Sequence, residues 1–324
     1  MDNGMNKNYL SWDEAFIALC KLISLRSKDK YRRNGSCIVD DKNRILSMGY
    51  NGLPFGCRDE DFPNEINESY YNSKEAYTVS SIINAILIGR RNIEGSTLYT
   101  TDFPDSDSAK MIIQNGIKKV YYIYDEFNNT DDYKASLKML KESNIIYKQL
   151  DDIDINFNNK DLLNWDETFM GVSKVVAMRS KDPSTQVGSC IVDAKHRIIS
   201  LGYNGFPFGC HDLKFPWHRE AECKSETKYP YVIHAEPNAI STANSSFPIG
   251  LENSKIYVTL FPCNECAMKI IQAGIKEVIY ISDKYADTDM SKAAKRMFDA
   301  SNVIYRQVDD NSVIVKTKTK TINR

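Results

Sequence analysis

Between residues 165 and 179 apolar side chains recur at the three-and-four spacing of a helix with one buried face. The period then shortens. Residues 189–192 and 197–202 read as two strands joined by the turn Asp193-Ala194-Lys195-His196, which predicts a hairpin. A polar excursion without periodicity follows over 210–228. Beyond it the pattern alternates, predicting a helix at 234–243, a strand at 255–260, a helix at 263–273, a strand at 277–282, a helix at 289–300 and a strand at 303–307. Strands alternating with helices of about ten residues imply βαβ units. The expected fold class is α/β, a three-layer α/β/α sandwich built on a mixed five-stranded sheet with helices on both faces.

The same pattern occurs twice. Ser11-Trp12-Asp13-Glu14 returns as Asn164-Trp165-Asp166-Glu167, and Arg26-Ser27-Lys28-Asp29 as Arg179-Ser180-Lys181-Asp182. The run GSCIVD occupies both 35–40 and 188–193. Gly49-Tyr50-Asn51-Gly52 returns as Gly202-Tyr203-Asn204-Gly205, and each copy continues to Pro-Phe-Gly-Cys. Matches this dense and in one order mark a duplication. The expected domains are 11–150 and 161–309, separated by the acidic, Asn-rich stretch 151–160, with a polar tail over 310–324 expected to be disordered.

Composition narrows the function. The formal net charge of the 324 residues is −1, so the basic excess that usually accompanies binding of long nucleic acid is missing. A small-molecule substrate is therefore expected rather than a polynucleotide. The N-terminus has no apolar secretory core and no run approaches the roughly 20 apolar residues of a membrane span, so no membrane association is expected. The eight cysteines are accordingly expected in a reducing compartment, cytoplasmic or nuclear, where metal binding or burial outweighs disulfide formation.

Two segments of copy two carry chemistry, His234-Ala235-Glu236 and Pro262-Cys263-Asn264-Glu265-Cys266. Cys263 and Cys266 at a helix start project from one turn towards a common point, and the helix N-terminus favours thiolate. With His234 they form a three-ligand set for Zn2+ that leaves a fourth position open, as catalytic zinc requires. Glu236, two residues from His234, is the expected proton shuttle. His-x-Glu paired with Pro-Cys-x-x-Cys is the zinc deaminase signature.

At these residues copy two resembles the deoxycytidylate deaminase branch of the cytidine deaminase superfamily, over residues 165–308. The resemblance extends to residues 179–188 (RSKDPSTQVG), 202–205 (GYNG), 228–236 (KYPYVIHAE), 260–267 (LFPCNECA) and 282–285 (SDKY). It implies hydrolysis of dCMP to dUMP and ammonia, with zinc-bound hydroxide attacking C4, Glu236 moving the protons, and one catalytic zinc per chain. It also implies that Asn204 meets the sugar or base, that Arg179 and Lys181 lie near the phosphate, and that Lys284 and Tyr285 close the site, with Ala235 completing the substrate-binding set. Some members carry a second, structural zinc, for which Cys210, His211, His218 and Cys223 are the candidate ligands here. Phe208 stands where a more polar residue is typical. The tandem form is similar to cytidine and dCMP deaminase domain-containing proteins, for which dCTP is the alternative substrate.

In copy one, Ser80 aligns with His234, Ile82 with Glu236, Asp105 with Cys263 and Ser108 with Cys266. Copy one is therefore expected to be zinc-less and inactive. It keeps Arg26, Lys28 and Asn51, which suit either a packing partner or an effector or second nucleotide site. The resemblance implies a hexamer switched by dCTP and dTTP, as in many members, so a chain of two copies is expected to form a homotrimer. From another class, a nucleotide-sensing scaffold without turnover is the alternative, and the intact His234, Glu236, Cys263 and Cys266 argue against it.

Overall fold

The computed structural model describes residues 3–89, 92–153, 155–157, 162–246, 250–310 and 315–317. It divides into two compact units, one of Phe16–Ile153 with Asn159–Asn164, the other of Trp165–Arg324 with Asp154–Asn158 and Met1–Ala15. The first fifteen residues thus belong with copy two, whereas the repeat pattern placed residues from 11 onward in copy one.

The unit of copy one contains most of α1 (Trp12–Ser24), then β1 (Gly35–Val39), β2 (Ile45–Tyr50), α2 (Ser81–Ile88), β3 (Thr97–Asp102), α3 (Ser106–Gln114), β4 (Lys119–Tyr124), α4 (Asp131–Glu142) and β5 (Ile146–Gln149). The sheet order is β2-β1-β3-β4-β5. β1 is antiparallel to both neighbours, and β3, β4 and β5 are parallel.

The chain continues through β6 (Ile155–Phe157) and then repeats the plan, with α5 (Trp165–Ala177), β7 (Gly188–Val192), β8 (Ile198–Tyr203), α6 (Ala235–Ser246), β9 (Lys255–Leu260), α7 (Asn264–Gln272), β10 (Glu277–Ser282), α8 (Asp289–Ala300), β11 (Ile304–Gln307) and β12 (Val315–Thr317). The sheet order β11-β10-β9-β7-β8 matches that of copy one position for position. Alternation along the strands sorts the side chains by face. Ile191, Ile256, Val258 and Val278 pack with Ala239, Ala267, Ile270 and Phe298 of α6, α7 and α8. On the other face Phe169 of α5 meets Tyr257 at 5.3 Å between ring centroids, and Ser173 Oγ donates to the Tyr257 carbonyl at 3.3 Å. The expected three layers are present.

The tail differs from its expectation. Val315–Thr317 forms β12 and pairs antiparallel with β6. Backbone pairing holds a segment whose polar side chains alone read as solvated. Residues 311–314 and 318–324 lie outside the described residues. No described helix is long and apolar enough to cross a membrane.

One repeated glycine sets the position of the site. A Cβ at Gly202 would lie 2.2 Å from the Ala235 carbonyl oxygen and 2.5 Å from the Ala239 nitrogen, so only glycine lets α6 lie directly on β8. Gly49 in copy one stands 2.4 Å from the Ala85 nitrogen in the same sense. The contact fixes where α6 begins, and His234 precedes that start.

Candidate metal centre and active site

The Asn238 amide donates to the His234 carbonyl at 3.2 Å, closing the first turn of α6. Pro237 falls in that turn, where its missing N–H removes no helical bond. Cys263 is the N-cap of α7, and its side chain makes no capping bond, which leaves the sulfur to the site. Cys266, one turn on, is buried. His234 Nδ1 lies 3.3 Å from Cys266 Sγ and 3.6 Å from Cys263 Sγ, and the two sulfurs are 3.6 Å apart. Ordinary Zn–S and Zn–N lengths at tetrahedral angles separate ligand atoms by about 3.5–3.8 Å. The donor set and its spacing therefore fit a zinc ion, and among the described residues this is the one group of three or more His, Cys, Asp and Glu ligands close enough to hold a metal.

The electrostatics point the same way. The hydrogen bond from the Cys266 thiol, with His234 beside it, holds Cys263 down at about 3 against the opposing effect of burial. The partner thiol of Cys266 is pushed up, first by that same hydrogen bond and then by burial. His234 is raised by its hydrogen bond with Cys263. A divalent cation bound by these three donors would displace the protons they hold. Glu236, on the first turn of α6, is 3 % exposed, and burial raises its carboxyl above the usual range.

In copy one the same four positions do other work. Ser80 caps α2 by accepting from the Ile83 amide at 3.2 Å, and Asp105 caps α3 by accepting from the Ser108 amide at 2.6 Å. Ser80 Oγ and Ser108 Oγ are 2.8 Å apart, a hydrogen bond in place of two metal ligands. Ile82, at the place of Glu236, is buried among apolar neighbours.

The remaining expected residues are placed as follows. Arg179 is buried; it donates to the Leu10 carbonyl, and its guanidinium lies 4.2 Å from the Trp12 ring centroid. Arg26 likewise donates to the Leu163 carbonyl. Lys181 pairs with Asp212 and lies over the Tyr9 ring at 4.7 Å. Both amide hydrogens of Asn204 are taken within the domain, by Asp182 at 3.2 Å and the Thr185 carbonyl at 2.9 Å, while its Oδ1 accepts from Val187 at 2.8 Å. Asn51 makes the equivalent bonds to Asp29, the Arg32 carbonyl and the Asn34 amide. Lys28 pairs with Asp59 on the surface. Ala235 is buried, its carbonyl accepting from Ser189 Oγ at 2.8 Å. Lys284 lies 4.9 Å from the ring centroid of the half-exposed Tyr285.

The candidate ligands of a second zinc stand apart. Cys210, His211, His218 and Cys223 do not come together as a ligand group. His211 Nδ1 accepts from the Leu213 amide at 3.3 Å, Cys223 Sγ meets Ser225 Oγ at 3.1 Å, and the His218 ring lies against Gly4. Sequence spacing within an irregular excursion does not dictate where its side chains converge.

Two features escaped the sequence pattern. Arg219, exposed in the excursion, donates from Nε to Tyr229 Oη at 3.0 Å, and the nearby Tyr285 further favours its charge. Lys228 and Asp182 form a buried ion pair at 2.6 Å. A surface arginine looks alike whether or not it faces a site, and a buried lysine is legible only once its partner is known.

A histidine at one helix start, a Cys-x-x-Cys at the next and a buried carboxyl beside them, all carried on a mixed sheet, define a mononuclear zinc hydrolase site. The family described as the cytidine and deoxycytidylate deaminase zinc-binding region matches residues 10–124 and 163–282, more than half of the chain, and the chain belongs to that family. Deoxycytidylate deaminase of Homo sapiens is 54 % identical over 147 residues, covering 45 % of this chain and 81 % of that protein. The probable deoxycytidylate deaminase of Drosophila melanogaster is 50 % identical over 153 residues, covering 46 % and 74 %. Among solved structures, the dCMP deaminase of cyanophage S-TIM5 in complex with dCMP and dUMP is 28 % identical, covers 42 % of this chain and 95 % of that one, and has a TM-score of 0.35.

Proposed function

We propose that copy two hydrolyses dCMP to dUMP and ammonia. The observation that carries this reading is the convergence of His234, Cys263 and Cys266 within 4.8 Å beside the buried Glu236. The similarity to deoxycytidylate deaminase of Homo sapiens supplies the substrate.

His234, Cys263 and Cys266 would hold the zinc, which when bound supplies a Lewis acid and an open coordination position. Glu236 takes a proton from the attacking water and delivers it to ring N3 of cytosine. As that proton moves, the water oxygen bonds to C4. Glu236 then takes the remaining proton from the C4 hydroxyl and passes it to the amine. The C4–N4 bond breaks, and ammonia leaves with the C4 carbonyl of dUMP formed. Burial that raises the Glu236 carboxyl above the usual carboxylate range favours its taking up and releasing protons in turn. Arg219, Lys284 and Tyr285 are the groups we assign to the 5′-phosphate.

Ammonia release is measured with deoxycytidine, dCMP, dCTP and a cytosine-containing oligonucleotide. Turnover of dCMP is expected, and Glu236→Gln lowers kcat by at least about 100-fold while zinc stays bound. Turnover of dCTP with dCMP ignored would overturn the monophosphate. A zinc-loaded protein no more active than Glu236→Gln would leave the scaffold reading standing.

For copy one we propose a packing role, since Arg26 and Asn51 make the same internal bonds as their counterparts in copy two. Binding of a dCTP or dTTP effector is the second reading, favoured by a cavity of about 180 Å³ bordered by Lys28 and Lys74. Three chains are proposed to assemble as a trimer, for which a solution mass near three times 37.0 kDa is expected; a monomeric mass would overturn it.

A further inference from the structure

The excursion that leads into His234 is held by the first residues of the chain. Asn3 Nδ2 donates to the Asp212 carbonyl at 2.6 Å and the Phe215 carbonyl at 3.1 Å, and the Trp217 amide donates back to the Asn3 carbonyl at 2.9 Å. Gly4, at φ +73°, lies under the His218 ring, and a Cβ there would come within 2.9 Å of it. The Asn6 amide donates to the Lys181 carbonyl at 2.9 Å and the Leu10 amide to the Met178 carbonyl at 3.0 Å. All these residues belong to one compact unit.

Copy one offers an internal comparison. The cavity of about 180 Å³ is bordered there by Lys28, Leu53, Asp59, Phe62 and Asn64. Their counterparts in copy two are Lys181, Phe206, Asp212, Phe215 and Trp217. Of these, Lys181, Asp212, Phe215 and Trp217 are the residues bonded by Asn3 and Asn6. Trp217, in place of the smaller Asn64, is fully buried and packs on Phe206 at 4.1 Å between ring centroids. In copy two the corresponding place holds the buried Trp217, with Asn3 and Asn6 bonded around it.

From this place a continuous set of bonds runs to the metal centre. The Lys228 amide donates to the His218 carbonyl at 2.9 Å, and the Lys228 carbonyl accepts from the Tyr231 and Val232 amides at 3.0 and 3.1 Å. Ile233 then pairs with Gly205 in both directions, at 2.8 and 3.1 Å, and His234 follows. Arg219 and its partner Tyr229 lie on the same stretch.

We propose that residues 3–10 are a positioning strap for substrate binding by copy two, resting on the reading that this copy turns over dCMP. The strap touches no reacting atom. It fixes the excursion so that Arg219 and Tyr229 stand ready at the rim and His234 enters at the correct height. An inactive first copy is thus preceded in the chain by a segment that the active copy requires.

Full-length protein and a chain lacking residues 2–8 are compared for KM, kcat, bound zinc and amide hydrogen exchange at Trp217 and Lys228. On truncation KM for dCMP rises about tenfold while kcat stays within about twofold, zinc remains bound, and both amides lose protection. A peptide of residues 1–10 added back restores KM. If the truncated chain fails to fold, Asn3→Ala and Gly4→Val in the full chain carry the same expectations. Unchanged KM and unchanged protection would overturn the strap. Full-length protein that ignores dCMP would sink the activity instead, and the two amides then decide alone, loss of protection supporting the strap and unchanged protection overturning it.

Discussion

Asp182 receives Lys228 Nζ on both carboxylate oxygens at 2.6 Å, Asn204 Nδ2 at 3.2 Å, and the amides of Ser184 and Thr185 at 2.8 and 3.1 Å. Asp29 of copy one has the same surroundings, with Lys74, Asn51 and the amides of Tyr31 and Arg32. The recurrence of these bonds in copy one, where the aligned metal-ligand positions hold Ser80, Asp105 and Ser108, marks a device that folds the excursion in both copies. Both members of each pair are nearly excluded from water, and removal of one leaves an uncompensated buried charge. Lys228→Met is therefore expected to cost about 3 kcal/mol, the low end for a buried pair because three neutral donors still serve Asp182. Urea unfolding measures the loss, and Lys228→Met with Asp182→Asn is expected to recover part of it. A cost below about 1 kcal/mol would show that the pair is not what anchors the excursion.

At the scale of elements, legibility followed periodicity. β9, β10 and α8 fall at the residues their hydrophobic patterns predicted, and α5 ends two residues short of its pattern, because each presents a strong period to a core. The metal motif was legible for a related reason: Cys-x-x-Cys is a local spacing, and the starts of α6 and α7 suffice to bring His234, Cys263 and Cys266 together. The excursion was not legible, since it has no period and is held by bonds such as Asn3 to Phe215 between residues more than two hundred positions apart. For the same lack of a local rule, the positions of Cys210, His211, His218 and Cys223 could not be read from their spacing. β12 was missed because its stability comes from pairing with β6, not from its own apolar content. Asn204 illustrates another limit: a polar side chain in a Gly-bounded turn is legible as a candidate, but its bonds to Asp182, the Thr185 carbonyl and the Val187 amide appear only in the fold.

Over the whole molecule the two copies share one topology and differ in what closes the ends of two helices. In copy one, Ser80 and Asp105 satisfy the free amides of α2 and α3 with side-chain oxygens, each cap contributing about 1 kcal/mol. In copy two Cys263 makes no capping bond, so the corresponding junction depends on the metal that its sulfur helps to hold. Dialysis against a chelator at neutral pH should therefore act on one copy only. Amides of α6 and α7 are expected to lose protection from exchange, and the thermal unfolding of copy two to fall by roughly 5 °C or more. Amides of α2 and α3 are expected to keep their protection, because no bond that closes those helices involves a metal ligand. Equal loss in both copies would mean that copy one also leans on a metal; loss in neither would mean that three donors alone hold the junction. The one-sided outcome follows from chemistry at four aligned positions, where copy one replaced a site that needs an ion with hydrogen bonds that do not.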